Sequence, residues 1–156
     1  MLEKNKIYRA EITSYGADGE GVCRIDGMAV FVPFAAVGDI ADIKILKVLK
    51  NHAFGKIENL LTPSNGRQMP MCDVYGKCGG CNIMHLCYDA QLNFKHKKVE
   101  DCIRRIAKDD AEILPVIGSK KTEKYRNKLQ IPVCRDKDGK TVFGFYRPHS
   151  HDVVNA

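Results

Sequence analysis

Apolar and polar residues alternate in short runs along the first third of the chain, take up a helical rhythm near its middle, and scatter toward its end. Residues 4–62 read as an all-β unit. Ile7, Ala10 and Ile12 lie in a strand-like run, followed by Tyr15-Gly16 and the turn segment Ala17-Asp18-Gly19-Glu20-Gly21. Val22 to Ile25 is a short strand, Asp26-Gly27 a strong hairpin signal, and Met28 to Val32 the return strand, ended by Pro33. Gly38-Asp39 leads into a long alternating strand from Ile40 to Leu49, with Ile43 and Ile45 on one face. Asn51-His52 turns the chain into Ala53–Ile57, and Leu60-Leu61 closes the unit. Five short strands at this spacing predict a small β-barrel of the oligonucleotide-binding type, a fold that does not by itself establish RNA binding.

Residues 62–70 carry two prolines, a glycine and little apolar content, and read as a linker. From about Asn82 to Ala107 the pattern turns helical. Leu92, Val99, Ile103 and Ile106 are spaced for one helix face, with Lys95, Lys97, Lys98, Arg104 and Arg105 mostly elsewhere on it. Asp109-Asp110 ends that helix. Ile113 to Ile117 reads as a short strand or extended piece, Lys124 to Val133 as a strand, and Val142 to Arg147 as its hairpin partner across Asp138-Gly139. The expected architecture is a five-stranded barrel over residues 1–63, then a small α+β unit over 64–156.

Charge separates the two halves. Residues 1–63 hold eight Lys/Arg against eight Asp/Glu; residues 64–156 hold seventeen against eleven, which accounts for the whole net charge of +6. A basic second half favours a polyanionic partner through counterion release. No run of about 18 apolar residues signals a transmembrane helix, and no apolar stretch follows the N-terminal Met-Leu-Glu-Lys-Asn-Lys as a secretory signal would require. Seven cysteines in such a chain point to the cytoplasm, and to metal or free thiols rather than disulfides.

Three of those cysteines form a tight group: Cys72-x5-Cys78-Gly79-Gly80-Cys81. Thiolates so close together repel one another unless a metal holds them. The spacing is one residue longer than the C-x4-C-x2-C core of plant-type iron–sulfur ferredoxins. Gly79 and Gly80 let the backbone bend between two ligands and bring its N–H groups toward cluster sulfides. Structural zinc and incidental cysteines are the competing readings. His85, four residues after Cys81, permits a Cys3His zinc site; its other reading is a histidine that hydrogen-bonds near the cluster or caps the helix. Cys87 and Cys134 are candidate fourth ligands, and Cys23 and Cys102 read as core residues. Tyr125-Arg126-Asn127-Lys128 sets an aromatic beside two cations, Gln130 adds an amide, and Phe145-Tyr146-Arg147 repeats that chemistry on the expected partner strand. Stacking, phosphate contacts and hydrogen bonds to base edges are how RNA is recognised, so Lys124, Arg126, Lys128 and Arg147 are the candidate RNA contacts. The glycines at 16, 19 and 21 read as a turn, not a nucleotide loop, because no Lys-Ser/Thr and no helix follow.

The segment Cys72-x5-Cys78-Gly-Gly-Cys81-x3-His85-x2-Tyr88-x2-Gln91-Leu92-x2-Lys95 resembles the cluster segment of bacterial RNA uridine-5-methyltransferases. Two further blocks carry the same resemblance: Lys124 to Val133, and Gly144-Phe-Tyr-Arg147-Pro-His149-Ser-His151-Asp-Val153-Val154. The first 60-odd residues look like the TRAM domain that precedes the cluster in that family. The resemblance implies a [4Fe–4S] cluster on Cys72, Cys78 and Cys81, with a fourth cysteine a few residues after Val154, where this chain stops at Asn155-Ala156. It implies a structured RNA partner, ribosomal RNA foremost. It also implies methyl transfer from S-adenosylmethionine to uridine carbon 5 by a Rossmann-like domain further along the family's polypeptide. On this resemblance the chain is the N-terminal, RNA-recognising portion of a longer enzyme, inactive by itself and monomeric. The alternative is a stand-alone RNA-binding protein with an iron–sulfur or zinc site. Arg24, Phe31, Lys47 and Lys50 are candidate contacts of the barrel by analogy.

Overall fold

The computed structural model describes residues 2–155. The first apolar run divides into β1 (Ile7–Glu11) and β2 (Ser14–Tyr15) because the chain bends at Ile12-Thr13. Ile12 is fully buried there, its N–H donating to the Asp39 carbonyl and its carbonyl accepting from the Gly38 N–H. Thr13 turns the other way and donates its N–H to the Val22 carbonyl. One bent stretch therefore pairs with β5 (Ile40–Val48) through β1 and with β3 (Gly21–Ile25) through β2. With β4 (Met28–Val32) and β6 (His52–Thr62), the sheet order is β1-β5-β6-β4-β3-β2. Because its two ends belong to the same stretch, the order closes on itself as the five-stranded barrel the pattern predicts.

The pairs are antiparallel except β4 with β6, which run parallel. The hairpin signal at Asp26-Gly27 holds: both residues have positive φ, 50° and 80°, as a type I′ turn requires. Period-two alternation sends Ala41, Ile43 and Ile45 of β5 inward, where they meet Ile12, Cys23, Val30, Val32 and Ala53. Burial pushes the Cys23 thiol up to about 11, so it packs as a small apolar group. Gly55 is required by closeness of approach: a Cβ there would lie 2.6 Å from Ile43 Cγ2 and 3.3 Å from Val30 Cγ1. Gly55→Ala is therefore expected to destabilise the barrel by about 1–3 kcal/mol through overpacking, measured by urea unfolding; an unchanged midpoint would contradict this packing.

The second half departs further from expectation. The helix, α1, spans Tyr88–Asp101 and starts six residues later than its periodicity indicates. Asn82 to Cys87 stay in turns because Leu86 and His85 are buried and Leu86 bridges to Arg67. The helix continues as a π-helical segment over Cys102–Ala107 and stops where Lys108 turns left-handed, at φ 56°. The apolar stripe is not a buried core face: Val99 is 50% and Ile106 78% exposed. Instead α1 leans on the barrel through Phe94, edge-on to Tyr15 at 5.3 Å, and through Lys98, whose Nζ donates to the Ala17 carbonyl at 2.7 Å. Cys102 is exposed, so of the two cysteines read as core only Cys23 is one.

Residues 113–117 form no strand ladder. The expected hairpin exists only at its tip: β7 (Val133–Arg135) pairs with β8 (Thr141–Phe143). Pro132 lacks the N–H a longer ladder would need, and Lys124 sits in the left-handed region at φ 51°. β9 (Phe145–Tyr146) pairs instead with β10 (Val153–Val154). The structure is thus mostly β with one helix. No helix among the described residues is long and apolar enough to cross a membrane.

Candidate functional site

The stretch read as a linker is the best-tied segment between barrel and cysteine loop. Asp39, at the entrance to β5, is fully buried. Its carboxylate accepts from Arg67 Nε at 2.8 Å (Oδ1) and Nη2 at 2.7 Å (Oδ2), from the Ala36 N–H at 2.6 Å and from the Ser64 N–H at 2.9 Å. Arg67 Nη2 also donates to the Phe34 carbonyl at 2.7 Å. Burial alone would raise the Asp39 carboxyl, but the Arg67 guanidinium and the two backbone donors more than offset it and hold it below the ordinary carboxylate value. On either side of Arg67, the Gln68 N–H donates to the His85 carbonyl and the Cys87 N–H to the Gly66 carbonyl. The cysteine loop is thereby fastened to the barrel at both ends of its return.

Phe34 adds an aromatic joint. It holds a left-handed φ of 61°, a strained conformation for a residue with a Cβ. In that conformation its ring lies 5.2 Å from Tyr75 and 6.3 Å from His85. Tyr75 stands inside the Cys72–Cys78 loop, with its hydroxyl 2.7 Å from His85 Nδ1 and donating to the Asn82 carbonyl at 2.9 Å. His85 is 1% exposed, and no hydrogen bond of ordinary geometry reaches its Nε2 among the described residues. Burial pushes its imidazole down, so it sits there neutral. It faces the barrel joint, where its Nδ1 meets the Tyr75 hydroxyl.

Among the described residues, no three His, Cys, Asp or Glu side chains are gathered closely enough to hold a metal ion. His85, Cys87 and Cys134 accordingly complete no metal set in this structure. The three motif cysteines nevertheless share one neighbourhood. Desolvation pushes the Cys81 thiol up, the thiols of Cys78 and Cys72 push it further, and the Arg126 guanidinium pulls it down. The Gly80 N–H donates to Cys78 Sγ at 3.3 Å, the kind of amide-to-sulfur bond that glycines between ligands allow. Gly79 donates its N–H to the Tyr146 carbonyl at 2.9 Å, and a Cβ there would sit 2.9 Å from the same oxygen. That close approach ties the cysteine loop to β9, so two of the sequence blocks meet in space.

The predicted RNA-contacting cations divide. Arg126 and Lys128 line one cleft of about 510 Å³ together with Leu129, Gln130 and Phe145. Lys124 and Arg147 are exposed but do not line it. Arg126 and Phe145 therefore converge without the strand pairing that was expected to bring them together. In the barrel, Arg24, Lys47 and Lys50 are exposed and Phe31 is half-buried. Asp39, Arg67, Phe34 and Tyr75 escaped the sequence reading. Arg67 did leave one signal: it is the single charged residue between Glu58 and Asp73.

The TRAM domain model matches residues 2–57, which cover the barrel up to the middle of β6. The chain carries a TRAM domain. Along its whole length it is also homologous to RNA methyltransferases, corresponding to their N-terminal part. It is 43% identical over 154 residues to an uncharacterized RNA methyltransferase of Clostridium tetani, with 99% of this chain and 33% of that protein covered. It is 41% identical over 155 residues to an uncharacterized RNA methyltransferase of Listeria monocytogenes, covering 99% of this chain and 34% of that one. Among solved structures it is similar to the tRNA (uracil-54, C5)-methyltransferase of Pyrococcus abyssi, crystallised with S-adenosyl-L-homocysteine. That likeness has a TM-score of 0.59 at 29% identity and covers 95% of this chain and 31% of that one. The chain thus spans about a third of the length of the relatives it matches.

Proposed function

We propose that this chain is the RNA-recognising part of an S-adenosylmethionine-dependent RNA uridine-5-methyltransferase acting on structured RNA, ribosomal RNA foremost. The observation that carries this reading is the cleft in which Arg126, Lys128, Gln130 and Phe145 converge beside the cysteine loop, in a chain similar throughout to RNA methyltransferases. The two cations suit phosphates, the amide suits a base edge, and the phenyl ring offers a stacking face. The role of these residues is to hold RNA so that a target base, which must leave its stack to react, is presented elsewhere.

Cys72, Cys78 and Cys81 would hold an iron–sulfur cluster. What supports this is the chemistry of the donor set: a Cys81 thiol with the Cys78 and Cys72 thiols and the Arg126 guanidinium among its neighbours, and an amide N–H already directed at Cys78 Sγ. When bound, the cluster supplies a covalent cross-link to a loop that has little core of its own. The chain's own residues do the remaining work: Tyr75 and His85 join the loop to the barrel, and Arg126 extends from loop to cleft.

RNA binding measured across salt concentrations tests the reading. The chain should bind a ribosomal stem-loop with an affinity that falls as salt rises. Arg126→Ala combined with Lys128→Ala should lower the log–log salt slope by about 1.5, from two lost phosphate contacts at about 0.7–0.9 each. A folded double variant with the wild-type slope would remove the cleft from the RNA path. Methyl transfer by the chain alone would overturn its assignment as the recognising part.

A further inference from the structure

We infer that the cysteine loop and the RNA cleft share one wall, so that metal held by Cys72, Cys78 and Cys81 and RNA held in the cleft strengthen each other's binding; this rests on both parts of the proposal above. The wall is β9. The Gly79 N–H donates to the Tyr146 carbonyl at 2.9 Å, and an added Cβ on Gly79 would meet that oxygen at 2.9 Å and Pro148 N at 3.4 Å. Gly80 stands beside the other residue of the strand: a Cβ there would lie 3.8 Å from Phe145 Cγ and 3.4 Å from Cys78 Sγ. Phe145 in turn lines the cleft with Arg126, Lys128 and Gln130. One short strand therefore has the cysteine loop against its backbone and the cleft against its ring.

Both partners of this contact have little else to fix them. No residue from Cys72 to Cys81 is buried, so the loop has no core of its own to hold its shape. β9 is two residues long and pairs with the two residues of β10, Phe145 opposite Val154 and Tyr146 opposite Val153. A closed loop backs this small sheet through Gly79 and Gly80; an open loop withdraws that backing. Metal favours the closed loop because it needs three sulfurs together, where without it the thiols of Cys78 and Cys72 act against ionisation of Cys81. RNA favours the same state because a base that stacks on Phe145 binds better when the ring is already held. Arg126 adds charge to the link, since its guanidinium acts on the Cys81 thiol and also lines the cleft. Two ligands that prefer the same state of one element raise each other's affinity by the same factor.

The test uses the full chain loaded with iron without oxygen, the same chain stripped by a chelator, and a fluorescent ribosomal stem-loop. Stripping should weaken stem-loop binding by about 5- to 150-fold and leave the urea midpoint of the barrel in place. Saturating stem-loop should in turn slow chelator extraction of iron from the loaded chain, followed by visible absorption. Gly79→Ala, whose Cβ would press on the Tyr146 carbonyl, should load iron and bind the stem-loop with one affinity whether loaded or stripped. Extraction is read on the wild type, so it decides even where Gly79→Ala does not load. Arg126→Ala with Lys128→Ala should lose the protection of iron at the same stem-loop concentration. Equal or tighter binding by the stripped wild type, or extraction at one rate with and without stem-loop, would overturn the coupling and leave the cleft and metal readings standing. A urea midpoint that falls on stripping would assign the lost affinity to unfolding and likewise overturn it. A loaded Gly79→Ala chain that keeps the full dependence would overturn the shared wall. An iron-loaded chain that binds no stem-loop would remove the cleft reading, and a chain that binds stem-loop but takes up no iron would remove the metal reading, each overturning the coupling with it.

Discussion

Replacing Arg67 with alanine should cost the protein about 3–5 kcal/mol, the range observed when one partner of a buried ion pair is removed. The Asp39 carboxylate is fully buried, and among the described residues Arg67 supplies the countercharge in its hydrogen-bonded shell. Without it the carboxylate keeps the Ala36 and Ser64 N–H groups but remains a charge in an apolar surround. The reverse replacement is milder. Asp39→Asn leaves Arg67, 19% exposed, free to turn toward water, and should cost about 1–3 kcal/mol through poorly matched hydrogen bonds. Urea denaturation of the two variants checks the order; equal losses would mean that the ion pair contributes no more than its shape.

The same pair sets an acid limit. The folded-state value of the Asp39 carboxyl is lowered below its ordinary 3.8. Its contribution to stability is therefore fully present above that value and is lost as pH falls through the lower, folded-state one. Arg67→Ala, with burial left unopposed by the guanidinium, should raise the folded-state value and move the loss of stability to higher pH. Asp39→Asn should lack this part of the acid dependence altogether. Stability measured between neutral and acid pH separates the three proteins.

The second large effect concerns metal. Purified without oxygen, the chain should contain iron and show broad visible absorption, with about four irons per cluster. Cys78→Ser should abolish both, because it removes the sulfur that already accepts the Gly80 N–H. Cys134→Ser, in exposed β7, should change neither. The barrel should survive the loss, since its core is complete without residues beyond β6. The Tyr75–His85 joint should loosen, because Tyr75 lies within the loop that the proposed metal would close. Protease digestion would show this as cutting between residues 72 and 81 with the barrel intact. One zinc and no colour would assign a structural zinc site instead, and equal metal in wild type and Cys78→Ser would remove the cysteines from any metal site.

How much of this was legible before folding depends on how far each signal reaches along the chain. The strands of the barrel were legible because period-two alternation and the Asp26-Gly27 turn are local, whereas the β1–β5 and β4–β6 pairings that close it join residues 23 or more apart. The cysteine group was legible because its members lie within ten residues of one another. The helix was visible in its rhythm, yet its stripe proved largely exposed, since periodicity reports a face without reporting what covers it. The hairpin was overextended because Pro132 and the left-handed Lys124 outweighed a strand-like composition.

Sequence alone determined the barrel's strands, the cysteine spacing and the basic character of the second half, all of which follow from residues close together in the chain. Only the tertiary structure decided that Arg67 reaches back 28 residues to Asp39, that Phe34 strains its backbone to meet Tyr75 and His85, and that the rings of Phe31, His52 and Phe54 meet. Those choices rest on burial of a charge and on cross-strand register. Both are set by what the rest of the chain places nearby, which no local pattern records.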